Sequence, residues 1–147
     1  MIKKILVAFD GSKHAQETLD FALDLAEKCS ADVTVLSVAQ HATTPLGMIG
    51  TPVPGEIIET YSKEVMDSTA KALAEAVEKA KEKTNVKIEP KLMEGRPADT
   101  IIQVAEEEKF DLIVIGSRGL SGIKKFFLGS VSNEVVNHSK CPVLIVK

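Results

Sequence analysis

Two cysteines are too few for a disulfide framework, and Cys29 and Cys141 show neither C-x-x-C spacing nor a histidine cluster nearby. Both read as reduced, structural thiols. Nowhere do about 18 apolar residues run together, and the N-terminus enters a strand pattern without a stretch suited to a signal peptide. No membrane segment is expected, and a cytoplasmic location follows as the expectation. Basic residues are not massed on a face: the net charge is −3, and Lys124 and Lys125 are only a pair, so nucleic acid is not an expected partner. Two familiar phosphate-binding patterns are also missing, G-x-x-x-x-G-K-[ST] and a G-x-G-x-x-G after a strand. His14, His41 and His138 share no spacing that suggests a catalytic set.

What is present describes an ordinary α/β chain. Hydrophobic residues make up 44% and charged residues 27%, with a mean hydropathy of +0.07, which argues against disorder. At 147 residues the chain fits one domain, residues 1–147, able to bury about 70% of its unfolded surface around one core. Continuous apolar runs predict strands at residues 2–9, 32–39, 111–115 and 143–146. A fifth strand pattern, at 86–93, alternates in part and contains Pro90, which suits a sheet edge. Helical spacing of Ala15, Leu19, Ala22 and Ala26 follows Ser12, a good N-cap. A second helix of about 30 residues begins at Pro54, with Ile57, Tyr61, Val65, Leu73, Ala76, Val77 and Ala80 on one stripe. A third, introduced by Gly95-Arg96-Pro97, ends near Lys109, and its Glu106-Glu107-Glu108 run reads as a solubilising face. The alternating order predicts a parallel sheet with helices on both faces. Residues 41–53, with exposed-looking Leu46, Met48 and Ile49, form a connection long enough to be a lid, a binding surface or an insertion.

The most informative stretch follows the strand at 111–115. Gly116, Gly119, Gly129 and Ser130 stand in the spacing G-x2-G-x9-G-S, and a helix over 131–139 comes next. Glycine lets the backbone turn and approach a ligand, and the first amides of a helix lack intrahelical partners and suit phosphate oxygens. Ser130 and Ser132 add hydroxyls that can donate to a phosphate or hold a water of a phosphate-bound Mg2+. The plainer alternative makes the glycines turn residues and Ser130 an N-cap. Asp10, ending the first strand, either caps its own turn or contacts a ligand.

Taken with Cys141-Pro142-Val143-Leu144-Ile145-Val146, with the opening Ile5-Leu6-Val7-Ala8-Phe9-Asp10-Gly11-Ser12, and with Gly95, Pro97 and Ala98, this spacing resembles the universal stress protein family. The likeness extends over essentially all the chain and is to the ATP-binding subgroup. It implies a Rossmann-like, adenine nucleotide α-hydrolase-like fold: an open five-stranded parallel sheet in the order 3-2-1-4-5. In that order the connections diverge between strands one and four, so the implied crevice lies beside Asp10 and Gly116. The resemblance further implies ATP there, with AMP or ADP as alternatives, and Mg2+ or Mn2+ held through the phosphates. Ala8, Phe9, Asp10 and the backbone of Val38 would line adenine and ribose. Ile115 and Gly116 would sit against the ribose, and Gly119, Gly129, Ser130, Val131 and Ser132 would hold phosphates, while the role of Arg118 stays open.

A cradle alone is not an enzyme, because hydrolysis needs a group that orients water and another that stabilises the transferring phosphoryl. The expected function is a nucleotide-dependent regulator or sensor in the stress response, with at most slow ATP hydrolysis. The alternatives are a slow ATPase or phosphotransferase, a nucleotide-independent interaction module, and a flavin-binding or carboxylate-activating relative. The final strand, 143–147, is an apolar edge that a homodimer would cover. The family resemblance implies the same dimer, and loop 41–53 is the expected surface for a protein partner.

Overall fold

Ile5, Leu6 and Val7 have no exposed surface, so the first strand, β1 (Lys4–Ala8), is covered on both faces, as its unbroken apolar run predicts. The computed structural model describes residues 1–40, 54–119 and 128–147. The expected lid or partner surface at 41–53 lies outside the described residues, as does 120–127 with Lys124 and Lys125. β1 is joined on one side by β2 (Asp32–Ala39) and on the other by β4 (Leu112–Gly116), both parallel to it. β3 (Ile88–Glu94) and β5 (Val143–Val146) form the two edges, giving the order β3-β2-β1-β4-β5. The order implied by the resemblance is therefore the observed one, and Pro90 sits on an edge strand as expected.

Alternation along the strands sorts the core into two layers. Ile5, Val7, Val33, Val35 and Val114 face one way and meet α1 (Lys13–Cys29) and α2 (Gly55–Lys83). Leu6, Leu36, Ile113 and Ile115 face the other and meet α3 (Pro97–Glu107) and α4 (Ser130–His138). Fully burying one such aliphatic side chain contributes about 1.5–3 kcal/mol, so the central strands dominate the stability of the sheet. α1 starts where Ser12 Oγ accepts the Ala15 N–H at 3.0 Å, and stops at Ser30, whose φ of 53° is left-handed. α2 buries only Leu73, Ala76, Val77 and Ala80; the half before Leu73 overhangs the sheet, with Ile57 and Tyr61 exposed.

Boundaries differ by a residue or two from those expected. β3 begins at Ile88 rather than Val86, and α3 ends at Glu107 because Lys109 turns left-handed (φ 56°) to lead into β4. α4 begins at Ser130, one residue early, with Gly129 rather than Ser130 as its N-cap. At the opposite end of the sheet, the Asp111 carboxylate accepts the N–H groups of Lys3 and Lys4 at 2.8 and 2.9 Å and ties the start of β4 to that of β1.

Candidate functional site

The chain leaves β1 toward β2 on one side and leaves β4 toward β5 on the other, so a crevice opens between the carboxyl ends of β1 and β4. From the β1 side come Ala8, Phe9 and Asp10. The Phe9 ring is buried in the α1/α2 layer, its N–H donates to Leu36 O at 2.9 Å, and its carbonyl accepts the buried Ser37 hydroxyl at 2.8 Å. Phe9 thus contributes position rather than free groups. Asp10 is exposed, and its Oδ1 accepts the Ser12 N–H at 3.0 Å across a turn in which Gly11 has a φ of +82°. Val38, half-buried near the end of β2 and paired with Met93, stands one strand further out.

From the β4 side, Ile115 is buried in the α3/α4 layer. Gly116 follows, and a Cβ there would stand 2.7 Å from His14 Cδ2 and 2.9 Å from Thr18 Oγ1, so glycine is what lets α1 lie against the strand end. Gly119 serves differently: a Cβ on it would stand 3.3 Å from Asp10 Oδ2. Two motifs more than a hundred residues apart in sequence meet at that point. Asp10 accordingly caps its turn through one oxygen and faces Gly119 with the other.

Gly129 completes the far wall. Its N–H donates to Ser117 O at 2.8 Å, drawing the start of α4 against the end of β4. The first intrahelical bond is Asn133 N–H to Gly129 O, at 2.9 Å, so the amides of Ser130, Val131 and Ser132 precede it, and a glycine N-cap brings no side chain to satisfy them. Ser130 is exposed, whereas Ser132 is buried and its hydroxyl donates to Gly129 O at 3.0 Å. Val131 is half-buried against the α3/α4 layer. The arrangement offers an anion a bare helix start, a close backbone at Gly119, and one carboxylate able to accept hydroxyl protons.

Reading the sequence left four structural contributors without a role: His14, Thr18, Ser37 and Ser117. A partial signal existed for Thr18, which falls on the Ala15–Leu19–Ala22 face of α1, but none marks Ser117. Among the described residues no group of three or more His, Cys, Asp or Glu is placed to hold a metal ion. No described helix is long and apolar enough to cross a membrane. A separate open groove of about 360 Å³ runs between α3 and α4, lined by Asp99, Ile102, Gln103, Glu106, Glu107 and His138. It shares no residue with the crevice, and its carboxylates would repel a phosphate.

Comparison with known proteins gives the same frame. The model of the universal stress protein family matches residues 1–147. Universal stress protein YxiE of Bacillus subtilis is 42% identical over 149 residues, covering all of both chains. The solved structure of MJ0577, from Methanocaldococcus jannaschii, has a TM-score of 0.83 at 28% identity and covers 100% of this chain and 96% of that one. A universal stress protein solved in complex with cAMP has a TM-score of 0.72 at 27% identity, covering 99% of this chain and 97% of that one. Matched from its first residue to its last, in sequence and in fold alike, this chain belongs to the universal stress protein family.

Proposed function

We propose that the crevice binds an adenine nucleotide and that the chain, folded as one domain over residues 1–147, acts as a nucleotide-dependent regulator in the stress response. The observation that carries this reading is the meeting of Gly119 with Asp10 beside the uncapped first turn of α4. In it the phosphates take the amides of Gly119, Ser130, Val131 and Ser132, with the Ser130 hydroxyl as a further donor. Asp10 accepts ribose hydroxyls, while Ala8, Phe9, the backbone of Val38, Ile115 and Gly116 bound the base and sugar. The relative bound to cAMP supports the ligand class. ATP is the expected form, with ADP or AMP as alternatives. Mg2+ or Mn2+ enters through the phosphates, which would supply its ligands.

Asp10, the carboxylate of the described crevice wall, is committed to its own turn and to the ribose rather than to orienting water, so hydrolysis is expected to be slow at most. The reading places the protein in the cytoplasm, where nucleotide is abundant and the free Cys29 and Cys141 stay reduced. It also pairs two copies through β5, and leaves residues 41–53 as the surface for a protein partner.

The test is chromatography of nucleotide released from freshly purified protein, together with thermal melts in ATP, ADP, AMP and cyclic AMP, with and without Mg2+. Ligand at about 100 times its dissociation constant adds roughly 2.7 kcal/mol, or about 5–10 °C at this size. The shift should vanish in Gly129→Leu, whose side chain would enter the phosphate position. Absence of both released nucleotide and any shift in the unmodified protein would leave an interaction module as the remaining reading.

A further inference from the structure

His14 belongs to neither wall of the crevice, yet it is the best-buried titratable side chain beside it, with 9% of its side chain exposed. Its Nε2 lies 2.9 Å from the carbonyl of Val146, and because a carbonyl only accepts, Nε2 carries the proton. The other ring nitrogen, Nδ1, is buried without a hydrogen-bond partner among the described residues and stands 3.6 Å from a Glu17 carboxylate oxygen. Leaving that nitrogen unmatched is unfavourable, so the bond to Val146 is what fixes the ring in this pose.

The Val146 carbonyl has a second donor, the Ser117 N–H, at 2.8 Å. Ser117 in turn accepts the Gly129 N–H on its own carbonyl, also at 2.8 Å. Both walls of the crevice therefore end on one oxygen. From α4, the path runs through Gly129 and Ser117 to Val146. From the Asp10 turn, it runs through Ser12, which caps α1, and then through His14 on the first turn of that helix to the same atom. Val146 is the last residue of β5, the strand whose other side is the open edge of the sheet.

We propose that these hydrogen bonds carry occupancy of the crevice to the exposed edge of β5, with His14 as the positioning residue that locks Val146 to α1. The inference rests on the nucleotide reading above. Phosphate held by the amides of residues 130–132 loads the turn that contains Gly129, and a ribose on Asp10 loads the turn that caps α1. Either displacement reaches Val146 through bonds of 2.8–3.0 Å, and the carbonyl cannot move without its strand. By linkage, whatever pairs with the β5 edge then alters nucleotide affinity by the same factor, commonly about 5- to 150-fold.

Amide hydrogen exchange with added ATP and Mg2+, at concentrations that saturate each variant in the melt, tests this. In the unmodified protein exchange should slow at residues 130–132 and, by about fivefold or more, at the edge-facing amides of Ile145 and Lys147. His14→Ala should keep the protection at 130–132 and hold the change at Ile145 and Lys147 below about twofold. His14→Gln, which places an amide donor near the Nε2 position, should restore most of it. A purely structural His14 would lower the melting temperature without separating the two regions. Undiminished protection of the β5 edge in His14→Ala overturns the relay, and so does a protected crevice with an unchanged edge in the unmodified protein. No protection at 130–132 and no melt shift overturns the nucleotide reading and the relay together. Should His14→Ala fail to fold, the ring 15N resonance of His14 in the unmodified protein decides: a nucleotide-dependent shift supports the relay, and a fixed resonance overturns it.

Discussion

Glycines with the same role in the sequence motif part company in the structure. Gly119 is the residue the motif describes, a backbone brought close to a carboxylate at the crevice, whereas Gly116 is glycine because the His14 ring occupies its side-chain space. Gly116→Ala should therefore destabilise the fold by about 1–3 kcal/mol through overpacking, lowering the melting temperature by roughly 2–4 °C per kcal/mol. Removing the ring first should relieve much of that penalty, leaving the part that comes from Thr18 Oγ1 at 2.9 Å. Equal penalties in the His14→Ala and unmodified backgrounds, measured by thermal melts, would sink the packing explanation. The spacing of the glycines was visible in the sequence. Their separate causes were not, because His14 lies about a hundred positions away and only the α1 crossover brings it there.

Strand and helix positions were legible because burial on both faces leaves unbroken apolar runs and burial on one side leaves a helical stripe. What the patterns missed is at the ends, where single side chains decide: Lys109 turning left-handed, Gly129 taking the cap in place of Ser130, and Asp111 joining the starts of two strands. The Asp111 clamp makes a prediction about acid. Hydrogen bonds from the Lys3 and Lys4 amides hold its carboxyl below the usual value of 3.8, with nearby positive charge assisting. A folded pKa below the unfolded one means the contribution is fully present above the unfolded value and is lost as pH falls through the folded one. In urea titrations the difference between the unmodified protein and Asp111→Ala should be constant above about pH 5 and shrink below about pH 4. A difference independent of pH down to about pH 2 would mean that the clamp works without its charge.

At the scale of the molecule, the sequence could supply alternation and period but not which strand lies beside which; the order came through the resemblance, and the hydrogen-bond register bears it out. That order leaves β5 as an edge whose four residues are all only partly buried. The Ile113 N–H donates to the Pro142 carbonyl and the Ser117 N–H to that of Val146, so the even-numbered residues of β5 turn their backbone groups to β4. Val143, Ile145 and Lys147 then present theirs outward, which is the face a second copy would pair with about a two-fold axis. Ile145→Pro removes one outward donor and none of the β4 ladder, since proline is tolerated where no partner strand needs its N–H. Light scattering at micromolar concentration should show a dimer for the unmodified protein and a monomer for Ile145→Pro, with unchanged far-ultraviolet dichroism confirming that the sheet survives. A monomer in both cases would remove the dimer from the proposed function and leave the edge of β5 free for another partner. A dimer in both would move the contact to another surface, and the overhanging half of α2, with Ile57 and Tyr61 exposed, would be the next place to mutate.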